Sequence, residues 1–327
     1  MNELDWLLLA YELNKNGNNR ILSLDEVMTN NLNHEHKVSW IHLNATHAQS
    51  EEWLKANSRL DPIVVEALLA EETRPRISET EHGVVIILRG VNLNNNAEPE
   101  DMVSIRLFIN NQQIISVRKR RLKGVVAIEN ELLHGGGPKT SGEFLEKLIE
   151  HLILNMEPAV ATMNKHIDDV EEVLPDAVDI KDREQLAALR RQATIFKRYL
   201  SPQKEVLEKL KNSNFPWLSK INKRNIHEDL EHLIRFIEDI DEIKERAQIV
   251  HDELRHSSSE RLNRNMYIIT VFSAIFLPLS FLTGLFGVNL AGIPKASDPW
   301  SFPIFTAFII LCTLIFILVF KKLKLIR

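Results

Sequence analysis

The side chains able to do chemistry fall into four groups, and none makes a complete catalytic set. Among the 12 histidines, His34 and His36 form a His-x-His pair, while His251 and His256 stand five apart in a helical stretch. Zinc favours nitrogen and sulfur ligands, but a five-residue step does not bring two rings to one helix face as an i, i+4 step does. No tight metal site is assigned, and His251 and His256 remain candidates for weak coordination only. Asp168, Asp169, Glu171 and Glu172 form an acidic cluster on a predicted helix, either a solvated face or a place that concentrates cations. His134-Gly135-Gly136-Gly137-Pro138 has the glycines of a phosphate-cradling loop, but no Lys-Ser/Thr follows and no strand leads into it, so it reads as a linker. The fourth group is a stripe at helical three-or-four spacing: Met266, Ile269, Ser273, Leu277, Ser280 and Thr283. Hydroxyl and bulky apolar groups share one face there, which suits close helix packing and equally a narrow pore with hydrophobic constrictions. No nucleophile–base constellation or nucleotide fingerprint occurs, so an enzyme is not expected and no cofactor is implied.

The stripe lies on an element whose composition is its main constraint. From Met266 to Phe286 and again from Ser301 to Phe320 no Asp, Glu, Lys, Arg or His occurs. Each run reaches the ~20 residues that a helix needs to cross ~30 Å of hydrocarbon. The rest of the 327-residue chain is strongly charged, with a net charge of -5 overall. These features exclude a purely soluble protein, a carrier with a dozen spans and a disulfide scaffold, the single Cys312 lying inside the second run. No basic surplus calls for nucleic acid. The short apolar stretch Trp6–Ala10 is flanked by Glu3, Asp5 and Glu12, so a cleaved signal peptide is not expected. Arg255, Arg261 and Arg264 precede the first run and Lys321, Lys322, Lys324 and Arg327 follow the second, which places both termini in the cytoplasm of an inner or plasma membrane protein.

Neither run contains an Asp, Glu, His, Lys or Arg, so proton coupling through such groups must use residues outside the spans. With no carboxylate there, a passing cation stays largely hydrated or uses neutral oxygens. Two helices cannot enclose a pore, so conduction requires self-association. A divalent cation entering a negative-inside cell gains ~4.6 kcal/mol per 100 mV, enough for passive uptake.

The chain divides into a cytoplasmic α/β domain (1–135), a helical region (136–218), a stalk helix (219–265), a first span (266–286), an external loop (287–300), a second span (301–320) and a basic tail (321–327). In the first domain Val38–Leu43, Gly83–Leu93 and Val103–Asn110 read as strands, and Gln113–Arg118 pairs back through an Asn110-Asn111-Gln112 turn. Ser50–Asn57 and Asp61–Glu71 read as helices, the second opening with Asp61 as N-cap and Pro62 at its first position. Further helices are expected over Ser141–Leu174 and Lys181–Asn212. In the stalk Ile226, Leu233, Ile240, Ala247 and Leu254 recur every seven residues, with Leu230 and Ile237 between them and Lys244, His251 and Ser258 continuing the intermediate position. Those last three fit either a looser coiled coil or the lining of a wet axial channel. The stalk from Ile226 to Asn265 holds 11 Asp and Glu against 6 Lys and Arg, a bias that attracts cations.

At the end of the first run stand Phe281-Leu282-Thr283-Gly284-Leu285-Phe286-Gly287-Val288-Asn289, then Leu290-Ala291-Gly292-Ile293-Pro294, with Pro278 upstream and a second span after a short loop. This resembles the CorA superfamily of divalent-cation transporters, sharply over 261–294 and in architecture over the whole chain. Gly287-Val288-Asn289 takes the place of that family's Gly-Met-Asn signature. The Val and the following Gly-Ile-Pro are similar to the zinc-transporting, ZntB-type branch. The resemblance implies an α+β cytoplasmic domain on a long stalk helix and two C-terminal transmembrane helices, assembled as a funnel-shaped homopentamer in membrane lipid. It further implies a selectivity filter of Gly287, Val288 and Asn289 and a pore lined by Met266, Ile269, Ser273, Leu277, Ser280 and Thr283. Ser258 and Leu262 continue the lining down the stalk, and rings of His251 or His256 offer transient coordination. The transported ion is then Zn2+, with Mg2+, Co2+ or Ni2+ as alternatives. A membrane-tethered sensor or scaffold is the competing reading from another class.

Overall fold

The computed structural model describes residues 6–29, 37–56, 60–71, 74–173, 180–287 and 298–322. It divides into two units, Met1–His251 and Asp252–Arg327. In the first, seven strands form one sheet: β1 (Leu7–Asn14), β2 (Arg20–Ile21), β3 (Lys37–Asn44), β4 (Arg76–Thr80), β5 (Gly83–Gly90), β6 (Val103–Ile109) and β7 (Gln113–Arg118). Their order is β2-β1-β3-β7-β6-β5-β4, antiparallel throughout except for β3 beside β7. That parallel pair joins Trp40 to Ile114 and His42 to Ser116 in register. The expected β6–β7 hairpin is present, its turn closed by Asn110, whose Oδ1 accepts from the backbone N–H groups of Gln112 and Gln113.

The central strands are buried on both faces, so they read as continuous apolar runs rather than alternating ones. One face packs Ile41, Leu43, Val85, Ile87, Phe108 and Val117 against α2 (Ala48–Ala56) and α3 (Pro62–Leu69). Asp61 caps α3 by accepting from Ile63 N at 2.9 Å, with Pro62 opening the helix. On β3 Trp40 packs against Phe144 of α5 (Ser141–Leu154), ring centroids 4.8 Å apart and planes tilted by 54°. The hydroxyl of Ser116 accepts from Trp40 Nε1 and bonds His42 Nδ1. Complete burial pushes the His42 ring down to about 3, so it is neutral.

Three features depart from the sequence expectation. The five-residue α1 (Leu24–Met28), strands β1, β2 and β4 and the helix α4 (Lys123–Leu133) are not among the expected elements. The stretch expected as one helix over Ser141–Leu174 is two, α5 and α6 (Glu157–Val173), broken at Asn155-Met156. Pro158 explains the break, because it offers no N–H to the carbonyl four residues back and its ring clashes there. Next comes α7 (Ile180–Asn212), and then α8, which runs unbroken from Lys220 to Phe286 and starts where Ser219 Oγ accepts from Asn222 N at 3.2 Å.

The third departure is the phase of α8. Ile226, Leu230, Leu233, Ile240, Ala247 and Leu254 are buried as expected, and Ile237 is half-buried. Beyond Ile240, however, the intermediate positions are taken by Ile243 and Val250, while Lys244 is exposed and His251 half-exposed. The seven-residue series itself stays buried to Leu254, but from Ile240 on its apolar companions stand three positions along rather than four, and the packed face follows those apolar side chains. Lys244 and His251 are therefore not the seam residues at those turns.

Candidate functional site

The second unit contains the end of α8 and α9 (Ser301–Lys322), both long and apolar enough to cross a membrane. Their facing stripes are the half-buried positions. On α8 these are Val271, Ile275, Pro278, Leu279 and Leu282, and on α9 they include Phe305, Ile309, Cys312 and Phe316. The Phe286 ring meets Phe305 with centroids 5.0 Å apart. Pro278 thus lies on the α9 side, where a neighbouring helix accommodates it.

At about 100° per residue, the stripe of Met266, Ile269, Ser273, Leu277 and Ser280 is centred about 175° from that contact face. All five are exposed, Leu277 at 75%. Leu262 shares their phase and is also exposed, whereas Ser258 sits near the edge and is half-buried. Thr283, also exposed, lies at the edge of the stripe, about 80° from its centre, and donates its hydroxyl proton to the carbonyls of Leu279 and Ser280. Gly284, exposed and with nothing within 4 Å of a Cβ built there, continues the stripe in better phase than Thr283.

Gly287 ends α8. Its N–H donates to the Thr283 carbonyl at 2.9 Å, and a Cβ on Gly287 would come equally close to that oxygen. A side chain there would force the helix end to shift, which accounts for glycine at this position. Val288 and Asn289 lie outside the described residues, as do His34 and His36.

The remaining candidates are not brought together. His251 and His256 are about 140° apart around α8, and His256 Nε2 lies 3.3 Å from Glu260 one turn on, both exposed. No group of three or more His, Cys, Asp or Glu with metal-binding geometry occurs among the described residues. In the acidic cluster, Asp168 and Glu171 both accept from Arg246 of α8, at 2.6 Å each from Nη2. That single guanidinium engages two of the four carboxylates and ties α6 to α8, so the first role of the pair is structural.

Sequence reasoning missed Asp229. It is half-buried on α8, and burial first, then the carboxylates of Glu150, Glu146 and Glu228, raises its pKa to about 7. Glu146 is itself engaged, accepting from Asn222 and Asn225. A group titrating near neutrality therefore exists outside the apolar spans. Its signal was available only as one acid among many on a charged helix.

Residues 35–322 match the family described as CorA-like Mg2+ transporter protein. The chain belongs to that family. Zinc transport protein ZntB of Yersinia pestis is 33% identical over 305 residues, covering 93% of this chain and 91% of that protein. Divalent cation transporter CmaX of Pseudomonas aeruginosa is 34% identical over 298 residues, 90% of each chain. The solved structure of full-length CmaX covers 98% of both chains at 31% identity, with a TM-score of 0.84. As a CorA-like transporter, the protein is a metal-ion transporter with a cytoplasmic N-terminal α/β domain, a long helix and two C-terminal membrane spans.

Proposed function

We propose that this CorA-like protein conducts a divalent metal cation, Zn2+ in the first place, through a pore built from α8 of several copies. The observation that carries this reading is the exposed α8 stripe facing away from α9, which carries neutral oxygens and no charge. In one chain that stripe has no partner. In a ring of copies it lines an axis while α9 faces lipid. The pentamer implied by the sequence resemblance supplies such a ring. Ser273 and Ser280 offer hydroxyl oxygens, while Met266, Ile269 and Leu277 form apolar constrictions that act by dewetting. A hydrated dication passes such a lining without being trapped by a carboxylate. Gly287, Val288 and Asn289 form the outer mouth, and the Asn289 amide accepts from the ion's water shell. Zinc is preferred because the ZntB relatives are named for zinc transport. The CmaX name, which specifies only a divalent cation, fits the same pore. No catalytic step or resident cofactor enters this reading.

The test is ion flux into proteoliposomes containing the full chain, with Zn2+ and Mg2+ in parallel and with and without a pH gradient. The expected result is zinc flux in the wild type and its loss in Asn289→Ala at unchanged oligomeric size. Wild-type flux in Asn289→Ala removes the filter. Absence of flux for either ion from folded protein overturns the transport reading.

A further inference from the structure

A second site lies wholly within the first unit. A cavity of about 430 Å³ opens between β6, the segment after β7, and α7. Five cations line it: Arg89, Arg106, Lys119, Arg120 and Arg198. Against them stand three carboxylates. Two of these are engaged: Glu100 accepts from Gln192 Nε2 at 3.1 Å, and Glu71, almost fully exposed, lies 3.6 Å from Lys119. Asp101 is the third.

The decisive group is Arg106. Its side chain is fully buried, and among the described residues the only bond to its guanidinium is from Nη2 to the Glu71 carbonyl at 3.3 Å. Nε and Nη1 have no partner among the described residues. A buried guanidinium with no carboxylate bonded to it among the described residues is strongly unfavourable, and native structures seldom leave such donors unmatched. A buried water can satisfy an N–H group but brings no negative charge. Burial first, and then repulsion from the nearby Arg89, pulls the Arg106 pKa below the ordinary guanidinium value. Arg89 itself is positioned, donating from Nη1 to the Met102 carbonyl at 2.7 Å and lying 4.1 Å above the Tyr199 ring.

We propose that this cavity binds a small phosphate-bearing anion, with Arg106 supplying charge from its floor and Lys119 and Arg120 closing on the anion at its mouth. The walls carry two more positive than negative groups, which matches a phosphate group of about -1.5 to -2 charge at neutral pH. Guanidinium groups also suit phosphate oxygens by their planar, forked donors. The volume accommodates a small molecule rather than a lone ion. Occupancy ties Arg198 and Tyr199 of α7 to β6, so the site gives a cytoplasmic solute a grip on a helix of the transporter's soluble body. The inference does not depend on which metal the protein carries.

The experiment is isothermal titration of the full chain in detergent with inorganic pyrophosphate, in chelator-containing buffer, with chloride at matched ionic strength as control. Saturable binding is expected, weakened about tenfold or more in Arg106→Met and in the double variant Lys119→Ala/Arg120→Ala. The double variant changes only residues near the surface, and circular dichroism establishes that it folds. Should Arg106→Met fail to fold, the double variant decides. Absence of saturable heat at millimolar pyrophosphate, an equal response to chloride, or affinity within about twofold of wild type in the folded variants overturns the proposal.

Discussion

Asp229→Asn is expected to stabilise the protein, and to do so more as pH rises. In the fold, burial and the carboxylates of Glu150, Glu146 and Glu228 raise the Asp229 pKa from 3.8 to about 7. The folded state therefore holds a proton that the unfolded state has released between those two values. Stability from this group is greatest below pH 3.8, falls through the window and is lowest above 7. A shift of that size corresponds to about 4 kcal/mol at ~1.36 kcal/mol per pH unit. Asp229 is partly exposed, and solvent screening reduces the figure to about 1–2 kcal/mol. Asparagine is nearly isosteric and removes the charge. The expected gain is about 1–2 kcal/mol at pH 8, and about half of it at pH 5.5, where the wild-type carboxyl is already largely protonated in the fold. For a body of this size that is a rise of about 2–8 °C in Tm at pH 8. Thermal unfolding of the full chain in detergent, followed by circular dichroism at both pH values, measures it. A variant no more stable than wild type at pH 8, or equally stabilised at both, refutes the reasoning.

Two further substitutions test the packing that carries α8. Ile243→Ala should cost about 2–5 kcal/mol, because it opens a cavity at a fully buried position, whereas Lys244→Ala should stay within about 0.5 kcal/mol. Comparable losses in urea unfolding would restore the heptad phase read from the sequence. Gly142→Ala should destabilise by about 1–3 kcal/mol, since its Cβ would lie 2.5 Å from the Trp217 carbonyl oxygen and 2.6 Å from Asn222 Oδ1. An unchanged Tm in that variant would mean that the loop before α8 yields freely.

The sequence by itself determined whatever depends on neighbours along the chain. Two uncharged runs of membrane length, the Asp61-Pro62 helix start and the Asn110 turn were legible because span length, capping and turn formation are local. Pro158 was an equally local signal, and it was overlooked inside a long amphipathic pattern. Strand order was not legible, since β3 and β7 pair in parallel across about 75 residues with nothing in either segment naming the other. The same holds for the site. The spacing of Met266, Ile269, Ser273, Leu277 and Ser280 defined a face, but only α9, packing on the opposite side, showed that this face is left uncovered. Asp229 and Arg106 were two charges among many in the sequence. The tertiary structure decided their chemistry, because burial and the sign of the surrounding charges are set by residues far away in the chain.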